Sequence, residues 1–324
     1  MQKTLTVINL QNIRRNALRI KKLAFGAKFY AVVKADAYGH GAEEVARYIE
    51  DVADGFCVAV IEEGTALRVA GISKEILVLT PPLNGYDVER CAFYNLTPTV
   101  NSVETASLIC GMPCHIKVNT GMNRNGCNLN ELYEVLKIIP PENILGVYSH
   151  LFAPHNESAS LRQLNLFKSA EKLVKEYSPQ AISHISASGG LLRGGEFLMD
   201  GVRCGILLYG YAPDGFKKDG FESAMKVYAR KVQSTKFIGG GVGYNFAEKS
   251  YGSLSTYRLG YADGFRRTVP LGEKTLCMDS FVSERCEELL PVFEDADEYA
   301  KRCKTISYEV LTNVTKRTER VYVR

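Results

Sequence analysis

Residues 29–41 read Phe-Tyr-Ala-Val-Val-Lys34-Ala-Asp-Ala-Tyr38-Gly39-His40-Gly41, an apolar run that delivers one lysine to its end and then breaks at glycines. A short buried strand ending in an amine suits a lysine that must be desolvated and partly deprotonated, as carbonyl chemistry such as Schiff-base formation requires. A lone Val-Val-Lys is also an ordinary strand end whose amine reaches water. The weight therefore falls on what else the chain can bring to Lys34. Further candidates are Lys117 with the turn Asn119-Thr-Gly-Met-Asn-Arg124-Asn-Gly, His150 in Tyr148-Ser-His-Leu-Phe, and Ser188-Gly-Gly. Another is Asp200-Gly-Val-Arg203-Cys-Gly205-Ile206, which runs on to Tyr209-Gly. Glycine-rich turns offer backbone N–H groups to a phosphate. Singly, a histidine is usually a satisfied core residue, Ser-Gly-Gly is loop punctuation, and Arg203 near Asp200 is a structural ion pair.

The elements that must position these groups are legible in the apolar pattern. Short apolar runs occur at 28–33, 55–60, 76–80, 97–100, 114–118, 145–149, 183–187 and 204–209. Between them, Ala42–Ile49, Glu62–Val69, Val103–Ile109, Leu129–Ile138 and Leu161–Tyr177 carry apolar residues three and four apart on polar backgrounds, as amphipathic helices do; 84–92 is the weakest of these segments. This alternation predicts the α/β class, a (β/α)8 TIM-like barrel, followed by a smaller β-rich C-terminal domain. The predicted boundaries are 11–218 for the barrel and 219–324 for the second domain, with residues 1–10 offering it a further strand. In the second domain, Tyr228–Phe237, Ser253–Leu259, Arg267–Val269, Ser307–Val314 and Arg320–Val323 are the short runs. Every candidate group named above then falls at the carboxyl end of a barrel strand, where barrels of this kind place their chemistry.

Composition narrows the classes. The 324 residues are 46% hydrophobic and 23% charged, ordinary for a globular chain with a large core. The net charge of +4 comes without a long basic run, so Arg266-Arg267 and Lys316-Arg317 read as solvated faces or anion contacts and no nucleic-acid partner is expected. No stretch approaches the roughly 18 apolar residues of a membrane span, and the opening residues have no secretory pattern. The nine cysteines are odd in number and scattered, Cys110 and Cys114 being the closest pair, which suggests reduced thiols of a cytoplasmic protein and no metal site.

Lys34-Ala-Asp-Ala-Tyr-Gly-His-Gly resembles the cofactor-lysine motif of the alanine racemases, pyridoxal-phosphate enzymes built on a barrel. The resemblance extends from Asn9 to the C-terminus. His115-Ile-Lys117-Val-Asn-Thr-Gly-Met-Asn-Arg124-Asn-Gly is similar to the family's arginine loop, and Asp200-x-x-Arg203-x-Gly205-Ile206-x-x-Tyr209-Gly to its strand-eight motif. Val242-Gly-Tyr244 resembles the catalytic-tyrosine segment, Gly260-Tyr261-Ala-Asp-Gly264 the family signature, and Cys277-Met278-Asp279 a turn that reaches a partner's site. Ordered matches over the whole chain are far more specific than any one of them.

The resemblance implies a racemase, most directly of alanine, with two proton-transfer groups, Lys34 and Tyr244 from the other subunit of an obligatory homodimer. It places Tyr38, Ser188, Gly205 and Ile206 on the cofactor phosphate, Arg203 on the pyridine nitrogen, His150 near the tyrosine, and Arg124 on the substrate carboxylate. Tyr261 and Met278 would border the substrate entrance, and Lys117 would orient Arg124, in some members as a carbamate. A free tyrosine titrates near about 10, so Tyr244 needs a hydrogen-bonding, positive setting. Against the family pattern, Ala187 stands where an asparagine precedes the strand-seven serine, Lys316 takes the place of a C-terminal tyrosine beside the phosphate, and 265–276 is short. On those departures serine or a larger amino acid is the alternative substrate. Two other readings are a barrel-fold decarboxylase of basic amino acids, which the Gly-Tyr-Ala-Asp-Gly signature opposes, and a non-catalytic pyridoxal-phosphate carrier, which the extra domain opposes.

Overall fold

The computed structural model describes residues 4–109, 111–269 and 271–324; Cys110, and with it the Cys110/Cys114 spacing, lies outside the described residues. By their contacts these fall into two units, one of residues 4–12, Tyr38–His40 and Ser223–Arg324, the other of Ile13–Ala37 and Gly41–Glu222.

The chain begins with β1 (Leu5–Asn9), then supplies β2 (Lys28–Val32), β3 (Gly55–Val58), β4 (Glu75–Val78), β5 (Thr99–Val100), β6 (Cys114–Lys117), β7 (Ile144–Tyr148), β8 (Ile182–His184) and β9 (Gly201–Cys204). Two parallel sheets, β4-β3-β2-β9 and β5-β6-β7-β8, are joined by single parallel bridges, Leu77 to Thr97 and Ser186 to Val202, so the strands β2 to β9 form a closed ring. The strands read as uninterrupted apolar runs because a barrel covers both of their faces. The helices between them bury one stripe: Ala42–Ile49 buries Val45, Ala46 and Ile49 and leaves Glu43, Glu44 and Arg47 outward. Leu132, Val135, Leu164, Phe167 and Val174 from two such helices pack on Ile116 and Val147 of the strands. Asn84, Ser102, Asn128 and Asn156 cap their helices through side-chain oxygens, a contribution of about 1 kcal/mol each.

Three expectations fail in instructive ways. The last barrel strand is Gly201–Cys204, and Ile206–Tyr209, read as its continuation, is a buried 3-10 turn closed by left-handed Gly210. A short apolar run alone does not separate a strand from a buried turn. Residues 10–23 form an amphipathic helix, Leu10–Leu23, that the eight-run pattern passed over. In the second unit Ser307–Asn313 is a helix following another, Ala296–Cys303, and Arg267–Val269 is a turn.

That second unit is a six-stranded sheet built on the long β10 (Met225–Lys236), after which come the hairpin strands β11 (Gly241–Val242) and β12 (Asn245–Phe246), then β13 (Ser253–Arg258), β14 (Phe281–Ser283), β15 (Leu289–Phe293) and β16 (Glu319–Val323). The order is β14-β13-β10-β1-β16, with β15 also on β10, and β1 lies antiparallel to β10 and parallel to β16. Gly39 shows how closely the segment after the lysine packs within this unit: its φ is +81° and a Cβ there would sit 2.3 Å from the carbonyl oxygen of Leu311. Gly39→Ala is therefore expected to lower unfolding stability by about 2–4 kcal/mol, read from urea midpoints; a change below about 0.5 kcal/mol would show that the contact relaxes freely.

Candidate active site

Lys34 leaves β2 into an unusual turn. Ala35, Asp36, Ala37 and Tyr38 all have φ between 51° and 54°, a left-handed helical turn without glycine. Each such residue costs roughly 1–2 kcal/mol, so the turn persists only where bonds over-determine it. Glu63 Oε1 accepts the Ala35 N–H at 2.6 Å while its Oε2 accepts that of Ala59 at 2.7 Å, and Asp36 accepts from Gly41 N and Ala42 N at 2.9 Å each. The pKa of the Lys34 amine is lowered, first by burial and then by the charge of Arg124.

Burial and mutual repulsion shape the whole cation cluster. Lys117 ends β6, is 6% exposed, and is held down to about 7 by burial, Arg124, Arg203 and Lys34. Arg203 on β9 is 3% exposed; its NH2 donates to Ser149 O at 2.6 Å and lies 3.4 Å from His150 Nδ1, and its NH1 donates to His184 O at 2.8 Å. His150 has its pKa driven well below the usual value by burial and then by Arg203, so it is a neutral imidazole. Accepting the Arg203 N–H at Nδ1 leaves Nε2–H as its free donor. Lys117 and Arg203 both lie over the Tyr148 ring, at 5.5 and 4.9 Å. The Cys57 thiol, close enough to feel Lys34 and Arg203, is pushed up to about 12 by burial and is inert.

Arg124 sits on an exposed loop that folds on itself. Asn119 Oδ1 accepts from Gly121 N and Asn123 N at 3.1 Å each, and Val118 bridges Cys127. Gln163 ties this loop to His150, donating to Thr120 Oγ1 and to His150 O at 3.0 Å each. Beyond β8, Ser188 opens the helical turn Ser188–Arg193, whose N-cap Ala187 supplies no side-chain bond; Ser188 Oγ accepts Leu207 N at 3.4 Å, bringing this turn beside Gly205 and Ile206. First-turn N–H groups have no partner inside their own helix. The site residues of this unit, Lys34, Lys117, Arg124, His150 and Arg203, thus act on one another electrostatically, while Ser188, Gly205 and Ile206 form a neighbouring N–H-rich turn.

The other unit holds the remaining candidates. Tyr38 packs 6.0 Å from the ring of Tyr308. Tyr261 and Met278 are brought together: Tyr261 N bonds Cys277 O at 3.2 Å and Ala262 N bonds Met278 O at 3.0 Å, and a Cβ on Gly260 would lie 2.1 Å from Met278 O. Arg317 braces both segments through Asp279 and Asp263. Tyr244, between β11 and β12, is 86% exposed.

The N-terminal-domain model of alanine racemase matches residues 8–213. The chain is 33% identical to the alanine racemase of Carboxydothermus hydrogenoformans over 98% of both chains. The chain belongs to the alanine racemase family. Among solved structures, the alanine racemase of Clostridium difficile 630 superposes with a TM-score of 0.89 at 30% identity, covering 100% of this chain and 96% of that one. That of Bartonella henselae, described as having covalently bound pyridoxal phosphate, superposes at 0.84 with 26% identity over 99% of both. The alanine racemase family's barrel and C-terminal β domain are the fold described above.

Sequence reasoning missed the groups that support the cations. Glu63, Gln163, Glu75 and His184 lay outside every quoted motif, and Tyr30, His115, Tyr148 and Ser149 stood inside motifs without a role assigned to them. His115 and His184 sat in plain view on β6 and β8, where buried histidines need partners.

The lowered Lys117 pKa has a testable sign. Folding holds the amine near 7 against 10.5 for an unfolded lysine, so the unfolded chain binds more protons between those values. Cofactor-free protein is expected to gain stability as pH rises from about 7 towards 10.5, and Lys117→Met to flatten that rise in urea midpoints; an unchanged slope in the variant would assign the effect elsewhere.

Proposed function

We propose that this chain interconverts L- and D-alanine using pyridoxal phosphate, with Lys34 and Tyr244 of the partner subunit on opposite faces of the substrate Cα. The observation that supports this most directly is the juxtaposition of a depressed-pKa lysine at a barrel strand end with buried Arg203, neutral His150 and Arg124, in a member of the alanine racemase family. Adjacent cations with lowered pKa values suit an anionic guest, and the donor set fits a phosphorylated aldehyde: an amine to hold the carbonyl, and N–H-rich turns for the phosphate. Lys34 would hold the cofactor, with Ser188, Gly205, Ile206 and Tyr38 at its phosphate and Arg203 at its ring nitrogen. Bound there, the cofactor supplies the electron sink that acidifies the Cα–H.

This chain's own residues do the rest. Arg124 orients the substrate carboxylate by charge. The Lys34 amine, its pKa lowered by burial and by Arg124, takes the proton on one face and as the ammonium returns it. On the other face, His150 Nε2–H donates to the phenolate oxygen of Tyr244 of the partner subunit, with Arg203 fixing the imidazole from behind. Because an arginine does not give up its proton, Arg203 leaves the ring nitrogen unprotonated, which restrains side reactions. The alanine racemase relatives favour alanine over serine or a larger substrate.

A homodimer is part of this proposal: Tyr244, Phe246 and Ile238 on and beside the β11–β12 hairpin are 86%, 91% and 96% exposed, a patch suited to a second copy. We read 11–218 as the cofactor-binding barrel and 219–324, with the strand in residues 1–10, as the domain that delivers Tyr244, Tyr261 and Met278 to the partner's site. Free, buried thiols at Cys57, Cys91, Cys114, Cys127, Cys204 and Cys303 suit a reducing cytoplasm. No helix among the described residues is long and apolar enough to cross a membrane.

Mixing variants tests the shared site. Lys34→Ala and Tyr244→Phe should each abolish nearly all alanine racemisation measured by chiral chromatography. Co-refolded in equal amounts they should recover about a quarter of it, because half of the statistically formed dimers then hold one intact site. Absence of recovery, with mixed dimers present by mass, would mean that both groups come from one chain.

A further inference from the structure

Glu75 is the first residue of β4, at the end of the barrel opposite to Lys34, and its side chain is largely buried. From it a line of polar groups runs through the barrel interior. Glu75 Oε1 lies 3.1 Å from His115 Nε2, His115 Nδ1 is 2.8 Å from His184 Nε2, and His184 Nδ1 is 2.6 Å from Arg203 NH1. Tyr30 donates to the other Glu75 oxygen at 2.8 Å. The His184 ring is stacked between Tyr30 and Tyr148, at centroid distances of 5.7 and 5.1 Å, so it cannot swing out of line.

We propose that Glu75, steadied by Tyr30, is a positioning residue for Arg203: through His115 and His184 it fixes one proton arrangement and supplies the counter-charge of the buried guanidinium. Hydrogen-bonding direction carries the proposal. Glu75 Oε1 and His115 Nε2 face each other at 3.1 Å as a charge contact, neither atom making a well-aligned hydrogen bond, and the carboxylate's negative charge there favours the His115 proton on Nε2, which leaves Nδ1 to accept. His184 must then donate from Nε2 and accept at Nδ1, which is what Arg203 NH1, a donor without a lone pair, requires. The reverse arrangement would set an N–H of His184 against an N–H of Arg203 at 2.6 Å. Arg203 needs the distant charge because its hydrogen-bonding partners, Ser149 O, His184 O and two imidazoles, are neutral, whereas Lys34, Lys117 and Arg124 share its sign. A buried cation left without an anion is costly, and hydrogen bonds in series to an anion strengthen one another.

The inference rests on Arg203 facing the cofactor, and the experiment separates the two. The full chain, labelled with 15N-histidine, contains five histidines, so two-bond 15N–1H spectra can assign each tautomer with and without pyridoxal phosphate. Wild type should show the Nε2–H form at His115 and His184. In Glu75→Gln, His184 should redistribute towards Nδ1–H, and kcat for alanine should fall about tenfold or more with KM within about threefold, a split that simple loss of packing would not give. Tyr30→Phe should move the same signals in the same sense by a smaller amount. A His184 spectrum in Glu75→Gln identical to wild type, or movement of His115 alone with kcat kept, would overturn the proposal. Were Glu75→Gln unable to fold, unchanged His115 and His184 signals in Tyr30→Phe would overturn it equally. A wild-type protein inactive on alanine would strike the racemase reading, while the cofactor-free spectra would still decide the relay.

Discussion

Burying positive charge at one end of a barrel is the constraint from which the rest of this structure follows. Arg203 is almost wholly enclosed, Lys117 nearly so, and both act on Lys34 through a poorly screened interior. Repulsion of that kind is tolerable only with neutral imidazoles packed among the cations, amines that can shed protons, and polar side chains that spread the charge. Those features are the ones found: neutral His150 and His184, lowered lysines, and the Tyr148 ring under Lys117 and Arg203. The proposed anionic cofactor, with the Glu75 carboxylate at the far end of the barrel, would complete the balance and link electrostatics to function.

Geometry is maintained by a second set of bonds. The left-handed turn from Ala35 to Tyr38 is unfavourable in isolation and is held by Glu63 and Asp36, so the direction of Lys34 is built into neighbouring strand ends and does not depend on the lysine's own flexible chain. Gln163 plays the corresponding part for the Arg124 loop and His150. In the other unit Arg317, through two aspartates, fastens the segments that carry Tyr261 and Met278. Lys34, the Arg124 loop, His150 and the Tyr261 and Met278 segments thus stand on backbone held by carboxylates or an amide of other residues, the pattern expected where misplacement of about 1 Å costs catalysis heavily.

Much of the barrel was legible because its helices are amphipathic and its strands are bounded apolar runs: Ala42–Ile49 and Leu129–Ile138 were read to the residue. Ile206–Tyr209 was misread because four apolar residues look the same in a strand and in a buried 3-10 turn, and Ser307–Asn313 because alternation over so few residues does not distinguish periods. At the site, residues with a motif were legible, Lys34, Arg124 and Arg203 among them. Their supports were not, since Glu63, Glu75 and His184 are far apart in sequence and acquire meaning only when the strands close. The Tyr308 ring beside Tyr38 was likewise hidden, since the two are 270 positions apart and meet only in the fold.

The central claim is that this barrel, loaded with pyridoxal phosphate, inverts alanine through proton exchange at Cα. Incubating the loaded protein with L-alanine in heavy water and resolving the product by chiral chromatography and mass spectrometry tests it most directly. The account predicts D-alanine carrying deuterium at Cα, formed catalytically and absent with Lys34→Ala. L-alanine recovered without deuterium and without D-isomer, from protein shown to hold the cofactor, would contradict it.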